Sequence, residues 1–278
     1  MRALLAVALD LVREARSRKW FLGLFAAVTL TLLGLALFLR LEVVDGALSA
    51  SRLFGSLLSA DAQPADVALR PVFVGVAFLG YVLGAAFLVV ACADFAPGLL
   101  APGRIEQLLS LPVARWQLVC GTYLGLLSLA ALAGGYGALG VVVLFGVKTQ
   151  VWEWRLLLSA AFGVECFAVL AAAMLATATL VRSAAVSAGS ALVLFALGGI
   201  ASARKPIAEA IETPALRTLF ELAVAPLPRL GTLGMFACQV LDDHGLDARA
   251  ALRLSSGALV FALSLLAFAV HRFERKDF

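Results

Sequence analysis

Charged residues in this chain gather in short clusters, with long runs between them that carry almost none. A helix crosses ~30 Å of hydrocarbon with roughly 20 apolar residues. Six runs approach that length, at about 20–39, 72–95, 117–145, 155–181, 184–203 and 255–271. The third is longer than one crossing needs, and Gly134-Gly135 within it is a candidate kink. The fourth is interrupted by Glu165. The fifth is rich in Ala, Ser and Gly from Ala184 to Gly199, the composition of a closely packed, buried helix. Gly80-xxx-Gly84 and Gly121-xxx-Gly125 would let helices approach closely, although 24 glycines make chance matches common.

The segments outside these runs are amphipathic. In residues 1–19, Leu4, Val7, Ala8, Leu11 and Ala15 share one helical face, and Arg2, Asp10, Arg13 and Ser17 take the other. A helix that abuts a span in this way is expected in the membrane interface, with Arg13, Arg16, Arg18 and Lys19 against anionic headgroups and Trp20 at the boundary. Packing on protein is the alternative. Between the second and third runs, Gly103–Arg115 reads as a short basic amphipathic helix marked by Pro102-Gly103 and Pro112. Asp94 caps or positions the loop before it. After the fifth run, Ile207, Ile211, Leu216, Leu219 and Phe220 recur at helical spacing. Thr213-Pro214 reads as an N-cap with proline at the first helical position, and Asp247 as the cap of the helix entering the last run. Short outer helices are therefore expected over 204–254. Val43–Leu58 is a second amphipathic outer segment, around Leu48, Leu53, Phe54 and Leu57.

Composition makes lipid the solvent for most of this chain. Of its 278 residues 63% are hydrophobic and 14% charged, against about 25% charged in soluble domains. The expected fold is an all-α polytopic membrane protein, one domain over 1–278. It has six transmembrane helices, an N-terminal amphipathic helix and short extracytoplasmic helices between spans five and six. No cleavable signal is expected, because a run of full spanning length follows the first basic cluster. The net charge of +4 calls for no nucleic-acid partner. Six spans place both termini on one side. The clusters Arg13–Lys19 and Arg272–Lys276 flank the first and last runs and favour the cytoplasm for that side. Cys92, Cys120, Cys166 and Cys238 have no CxxC spacing and are expected to be free thiols, with no metal site.

Several chemistries are missing. There is no GxxxxGK[ST] phosphate loop, no GxSxG elbow and, with only His244 and His271, no HExxH site. The chain is therefore not expected to be an enzyme by itself, nor to bind a cofactor. Glu165 carries two readings: a structural carboxyl bonded to a hydroxyl of a neighbouring helix, or a polar group on a substrate path or coupling element.

Taken together these features resemble the type-2 ABC exporter permeases, in particular the subfamily containing the permease of the nitrous-oxide-reductase (multicopper enzyme) maturation transporter. The likeness rests on the basic helix Ala8–Trp20, on Gly103-Arg-Ile-Glu-Gln-Leu-Leu-Ser-Leu-Pro-Val-Ala-Arg115, on Gly121-Thr-Tyr-Leu-Gly125 and on the tail Arg272–Phe278. The second is the most specific and matches the family's G-x-[IL]-E-x-L-L-x-x-P-[VI]-x-R. In the third, Thr122 stands where the family often has lysine.

The resemblance implies an inner-membrane (cytoplasmic-membrane) bacterial protein with an N-terminal elbow helix. It implies a homodimer or pseudodimer working with two copies of a separate ATP-binding cassette subunit, which holds ATP and Mg. It makes 103–115 the coupling helix, docking through Arg104, Ile105, Glu106, Leu108, Leu109 and Arg115. It also places the fifth span near the subunit interface beside the first. Phe25, Thr29, Ala188, Ala191 and Phe195 then line the dimer contact or the path it encloses, with Glu165 a further candidate. Three functions follow: export of a substrate not readable from the sequence, relay of ATP-driven motion to an extracytoplasmic partner, or a membrane enzyme or assembly factor without ATPase.

Overall fold

The structure is a computed structural model that describes residues 2–17, 19–44, 47–53, 56–59, 63–100, 103, 113–242 and 247–275. Helix α1 (Arg2–Ser17) is followed by α2 (Lys19–Phe38). Strands β1 (Leu39–Val44), β2 (Ala47–Leu53), β3 (Ser56–Ser59) and β4 (Gln63–Pro64) form a small antiparallel ribbon. Then come α3 (Ala65–Ala91), α4 (Phe95–Leu99), α5 (Arg115–Thr149), α6 (Arg155–Leu180) and α7 (Ala184–Ser202). Three short helices, α8 (Arg204–Ala210), α9 (Pro214–Val224) and α10 (Leu230–Gln239), lead to α11 (Ala248–Glu274).

Outside the ribbon every described element is a helix. The amphipathic segment expected over Val43–Leu58 falls in the ribbon, where Arg40 pairs with Arg52 and Val44 with Ala47. Its sequence alternates apolar and polar from Leu39 to Val43, a period of two that suits a strand.

Five helices are long and apolar enough to cross a bilayer, within Leu69–Leu99, Arg115–Thr149, Arg155–Leu180, Ala184–Ser202 and Ala248–Glu274. Helix α5 runs unbroken through Gly134-Gly135 for 35 residues, roughly 50 Å at 1.5 Å per residue. It ends at Gln150, which takes a left-handed φ of 60° while its N–H donates to Gly146 O (3.0 Å). The chain then turns through Trp152 and Trp154, whose rings stack 6.0 Å apart. Glu153 makes two short bonds to Arg155, of 2.6 and 2.7 Å. Stacked tryptophans beside a charged pair suit a membrane–water boundary. At the start of α11, Asp247 Oδ1 accepts from Arg249 N (3.1 Å) and Ala250 N (3.3 Å), as its sequence position suggests. Pro214 does open α9, but Thr213 makes no side-chain cap bond.

Helix α6 is the axis. It packs against α3, α4, α5, α7, α10 and α11. Of its apolar window 61% is buried, against 33% or less for the other four spans. Every residue from Cys166 to Ala176 is buried. Hydroxyl groups add interhelical bonds. Ser187 Oγ donates to Met174 O (2.9 Å), Thr177 and Ser190 share a bond of 3.0 Å, and Tyr123 OH reaches Ala168 O (3.2 Å). The tightly packed helix expected from the fifth run is therefore the fourth. In α7 only 22% of the window is buried, and Val193 and Leu197 are exposed. Small residues permit burial, but the neighbours decide where it happens.

The Gly121-xxx-Gly125 pattern receives α1. A Cβ at Gly121 would lie 2.7 Å from Val7 Cβ, and one at Gly125 would lie 3.1 Å from Leu11 Cβ. The face of α1 expected to meet lipid is thus turned onto α5, with Ala8, Leu11 and Ala15 buried. Leu5 and Leu9 remain exposed. By contrast, nothing lies within 4 Å of a Cβ at Gly80 or Gly84. Arg115 Nη1 donates to Glu274 O (3.1 Å), so α1, the start of α5 and the end of α11 share one end of the bundle.

This difference between the two glycine pairs gives a test. Gly121→Val should cost about 1–3 kcal/mol by overpacking and expose α1 to protease. Gly80→Val makes the same change of helix propensity without a clash and should stay near the parent. Thermal unfolding in detergent and limited proteolysis read both. Equal behaviour of the two variants would mean that α1 does not rest on α5.

Candidate functional site

Helix α10 is a wedge between α3 and α7. It enters where side chains are smallest. A Cβ at Gly198 would meet Leu230 Cγ at 2.7 Å, and one at Gly234 would meet the Tyr81 ring at 2.9 Å. Tyr81 OH donates to Leu230 O (2.6 Å), fixing α10 to α3. Ser202 Oγ accepts from Thr232 N (2.9 Å), satisfying a first-turn N–H that the helix itself leaves open. Leu230, Leu233 and Ala237 are buried. Beside this wedge lies an almost wholly apolar cleft of about 460 Å³. Tyr81 and Phe78 of α3, Phe195 and Gly199 of α7, and Met235 and Gln239 of α10 line it. The rings of Tyr81 and Phe195 stand 6.2 Å apart on facing walls.

Behind the Tyr81 wall lies the half-buried Glu165. Ser255 Oγ of α11 donates to Glu165 Oε2 (2.9 Å). Glu165 Oε1 is buried with no hydrogen-bond partner. The bond ties α6 to α11. Among the described residues no group of His, Cys, Asp and Glu could hold a metal ion. None of the four cysteines forms a disulfide.

Residues 5–278 match the family described as ABC-2 family transporter protein. The chain belongs to this family. No curated protein matches it. As an ABC-2 transporter protein it is a multi-pass membrane protein and the permease component of an ABC transporter. Permeases of this family are typically non-catalytic membrane subunits and generally pair with an ATP-binding cassette subunit.

The residues singled out from the sequence of this ABC-2 permease fall in several places. Phe195 is on the cleft wall. Ala191 is wholly buried within the single chain, and Ala188 packs against the same core. The exposed face of α7 is instead formed by Val186, Val193, Leu197 and Ile200. Phe25 and Thr29 meet α5: the Phe25 and Tyr136 rings are edge to face at 5.0 Å, and Thr29 Oγ1 shares a 2.6 Å bond with Tyr136 OH. Glu165 is on α6 and is not a lining residue of the cleft. Arg13 and Arg16 are exposed on α1. Arg18, Arg104, Ile105, Glu106, Leu108 and Leu109 lie outside the described residues, as do the side chains of Lys19 and Trp20. Arg115 opens α5. Sequence reasoning missed Tyr81, Gly199 and Gly234, whose only sign was a glycine or tyrosine in an apolar run.

The Glu165–Ser255 pair is open to a double-mutant test. Ser255→Ala leaves a buried carboxylate without its donor and should destabilise by about 1–3 kcal/mol. Glu165→Leu in the Ser255→Ala background removes both partners and should recover most of that loss. Thermal midpoints of the purified variants measure both. A Ser255→Ala variant as stable as the parent would show that water already satisfies the carboxylate.

Proposed function

We propose that this chain is the permease subunit of an ATP-driven type-2 ABC exporter. Two copies would work with two ATP-binding cassette subunits, which supply the ATP and Mg sites. The reading takes α2 as the first of six spans. Its support is that α2 runs parallel to α5, with Thr29 on Tyr136, Leu32 on Gly140 and Ala36 O accepting from Lys148 Nζ. In this reading the α1 end of the bundle faces the cytoplasm and α8–α10 face outside. Residues 103–115 act as the coupling helix.

The observation that carries the proposal, beside the family match, is the tie at Arg115. A push on the segment ahead of Arg115 bears on α5 directly and on α11 through Glu274 O (3.1 Å). Both helices pack on α6, which contacts the helices of the cleft. Motion imposed at one end of the bundle therefore reaches α3, α7 and α10 through packed helices. The cleft between them is the wall of the proposed path.

A second reading has a specific observation behind it. Helix α9 packs on α8 and exposes Leu216, Leu219 and Leu222. Such a face suits the relay of motion to an extracytoplasmic partner, as in a maturation transporter of the nitrous-oxide-reductase type that the coupling motif resembles.

Cysteine at Leu109 should crosslink to the ATP-binding subunit in the assembled complex. Glu106→Lys should leave insertion intact and uncouple ATP hydrolysis from transport. Failure of the crosslink in a complex that is otherwise assembled removes 103–115 from the ATPase contact. Orientation has its own measurement. A membrane-impermeant thiol reagent on spheroplasts should label cysteine at Asp243 and not at Asp277, and the opposite labelling inverts the topology.

A further inference from the structure

No charged residue lines the cleft of α3, α7 and α10, but the α7–α10 junction beside its Gly199 and Gly231 is flanked by two. Helices α7 and α10 meet there through Gly198 against Leu230 and through Ser202 Oγ bonded to Thr232 N. Arginines flank this junction on both chain segments. Arg204 opens α8 two residues after α7 ends, and Arg229 immediately precedes α10. Both are half-buried. Burial, then the neighbouring Arg204 charge, push the Arg229 guanidinium below its ordinary value. Among the described residues neither arginine has an ion-pair partner; the pairs at this side of the chain are elsewhere, as with Arg217 and Glu221. The first turn of α10 adds a partial positive charge at the same place. Two neighbouring cations with no counter-ion among the described residues, partly out of water, carry a cost that an anion would remove.

The rest of the cleft is apolar. Its volume of about 460 Å³ lies in the usual range of small-ligand pockets, roughly 300–1,000 Å³. Phe78 and Met235 stand at its open side, each more than half exposed. An unbranched, polarizable methionine accommodates chains of irregular course. A Cβ at Gly199 meets nothing within 4 Å, so this position opens onto empty space. An occupant that matches both parts must carry a hydrocarbon chain and an anionic head.

We propose that the cleft holds one acyl chain of an anionic phospholipid, with its phosphate between Arg204 and Arg229. The planar guanidinium fork suits phosphate oxygens. The proposal deepens the reading of the cleft as a wall of the path. It rests on that reading for the purpose of the site, and not for the binding itself.

Native mass spectrometry of the purified full chain tests it. The protein is released from micelles containing equal amounts of phosphatidylglycerol and phosphatidylcholine with the same acyl chains. One phosphatidylglycerol should be retained over phosphatidylcholine by about tenfold, given the usual attraction of an arginine to an anionic headgroup. Arg204→Gln with Arg229→Gln should abolish that preference, and Arg204→Lys with Arg229→Lys should keep most of it. Gly199→Leu fills the open space and should reduce retention of both lipids.

Equal retention of the two lipids by the parent protein overturns the proposal. So does a preference that survives the double glutamine variant, or a Gly199→Leu variant that retains lipid as the parent does. If Gly199→Leu breaks self-association instead, a second copy of the chain fills the cleft and the lipid assignment fails. No ATP-coupled step is read in this experiment, so its failure leaves the permease reading to the crosslinking test.

Discussion

Lipid tails give apolar helices no reason to leave them for one another, and this constraint organises the bundle. Association must come from contact that lipid cannot match, which means close approach and bonds between polar groups. Helix α6 supplies both. Its run from Cys166 to Ala176 is wholly buried and carries alanine at 168, 171, 172, 173 and 176. Ser187, Ser190 and Tyr123 then reach its backbone or its Thr177 hydroxyl from either side. Six other helices pack on this one helix. A bulky side chain in that run would displace neighbours on several sides at once, whereas the same change on the outer face of α7 would meet only lipid.

The same constraint explains the shape of the cleft. Helix α10 has ten residues, roughly 15 Å of rise, about half the thickness of the hydrocarbon. It cannot seal the space between two full spans along their length. It is held instead at one end, by Tyr81 OH on Leu230 O and by Ser202 Oγ on Thr232 N. Gly198 and Gly234 let it sit deep, because any side chain there would strike Leu230 or Tyr81. What remains beside it is a space with aromatic walls, next to a junction flanked by Arg204 and Arg229. The arrangement needs no long motif in sequence, only small residues at the few places where backbones approach.

That is also why the sequence told some things and withheld others. All five spans described as long enough to cross a bilayer coincide with apolar runs, since length and hydropathy are dictated by membrane thickness. Asp247 was readable because a cap is a local arrangement. Facing was not readable. In a soluble helix polar residues mark the outside, but here both the lipid side and the core side are apolar. Two identical glycine spacings therefore had different fates: Gly121 and Gly125 receive α1, while Gly80 and Gly84 stand open. The alanine-rich fifth run looked like the buried one, yet α6 took that place because it has neighbours on every side. The ribbon after α2 was hidden by leucines whose spacing fits helix as well as strand. In α1, one amphipathic face fitted both lipid and protein, and only the glycines of α5 decided between them.

Among the described residues one buried side-chain oxygen has no protein hydrogen-bond partner, and its position matters. Glu165 Oε1 is that atom, and it belongs to α6, which packs against α3, α4, α5, α7, α10 and α11. An unmet buried acceptor costs about 1–3 kcal/mol, more when charged. In a fold whose helices are joined mainly by dispersion and a few hydroxyl bonds, that is comparable with the interactions holding one helix to the next. Ser255 already occupies Oε2 from α11, the helix tied at its far end to Arg115. Along α11, then, one end is tied to the start of α5 through Arg115, and a serine nearer the other end holds the carboxyl of α6.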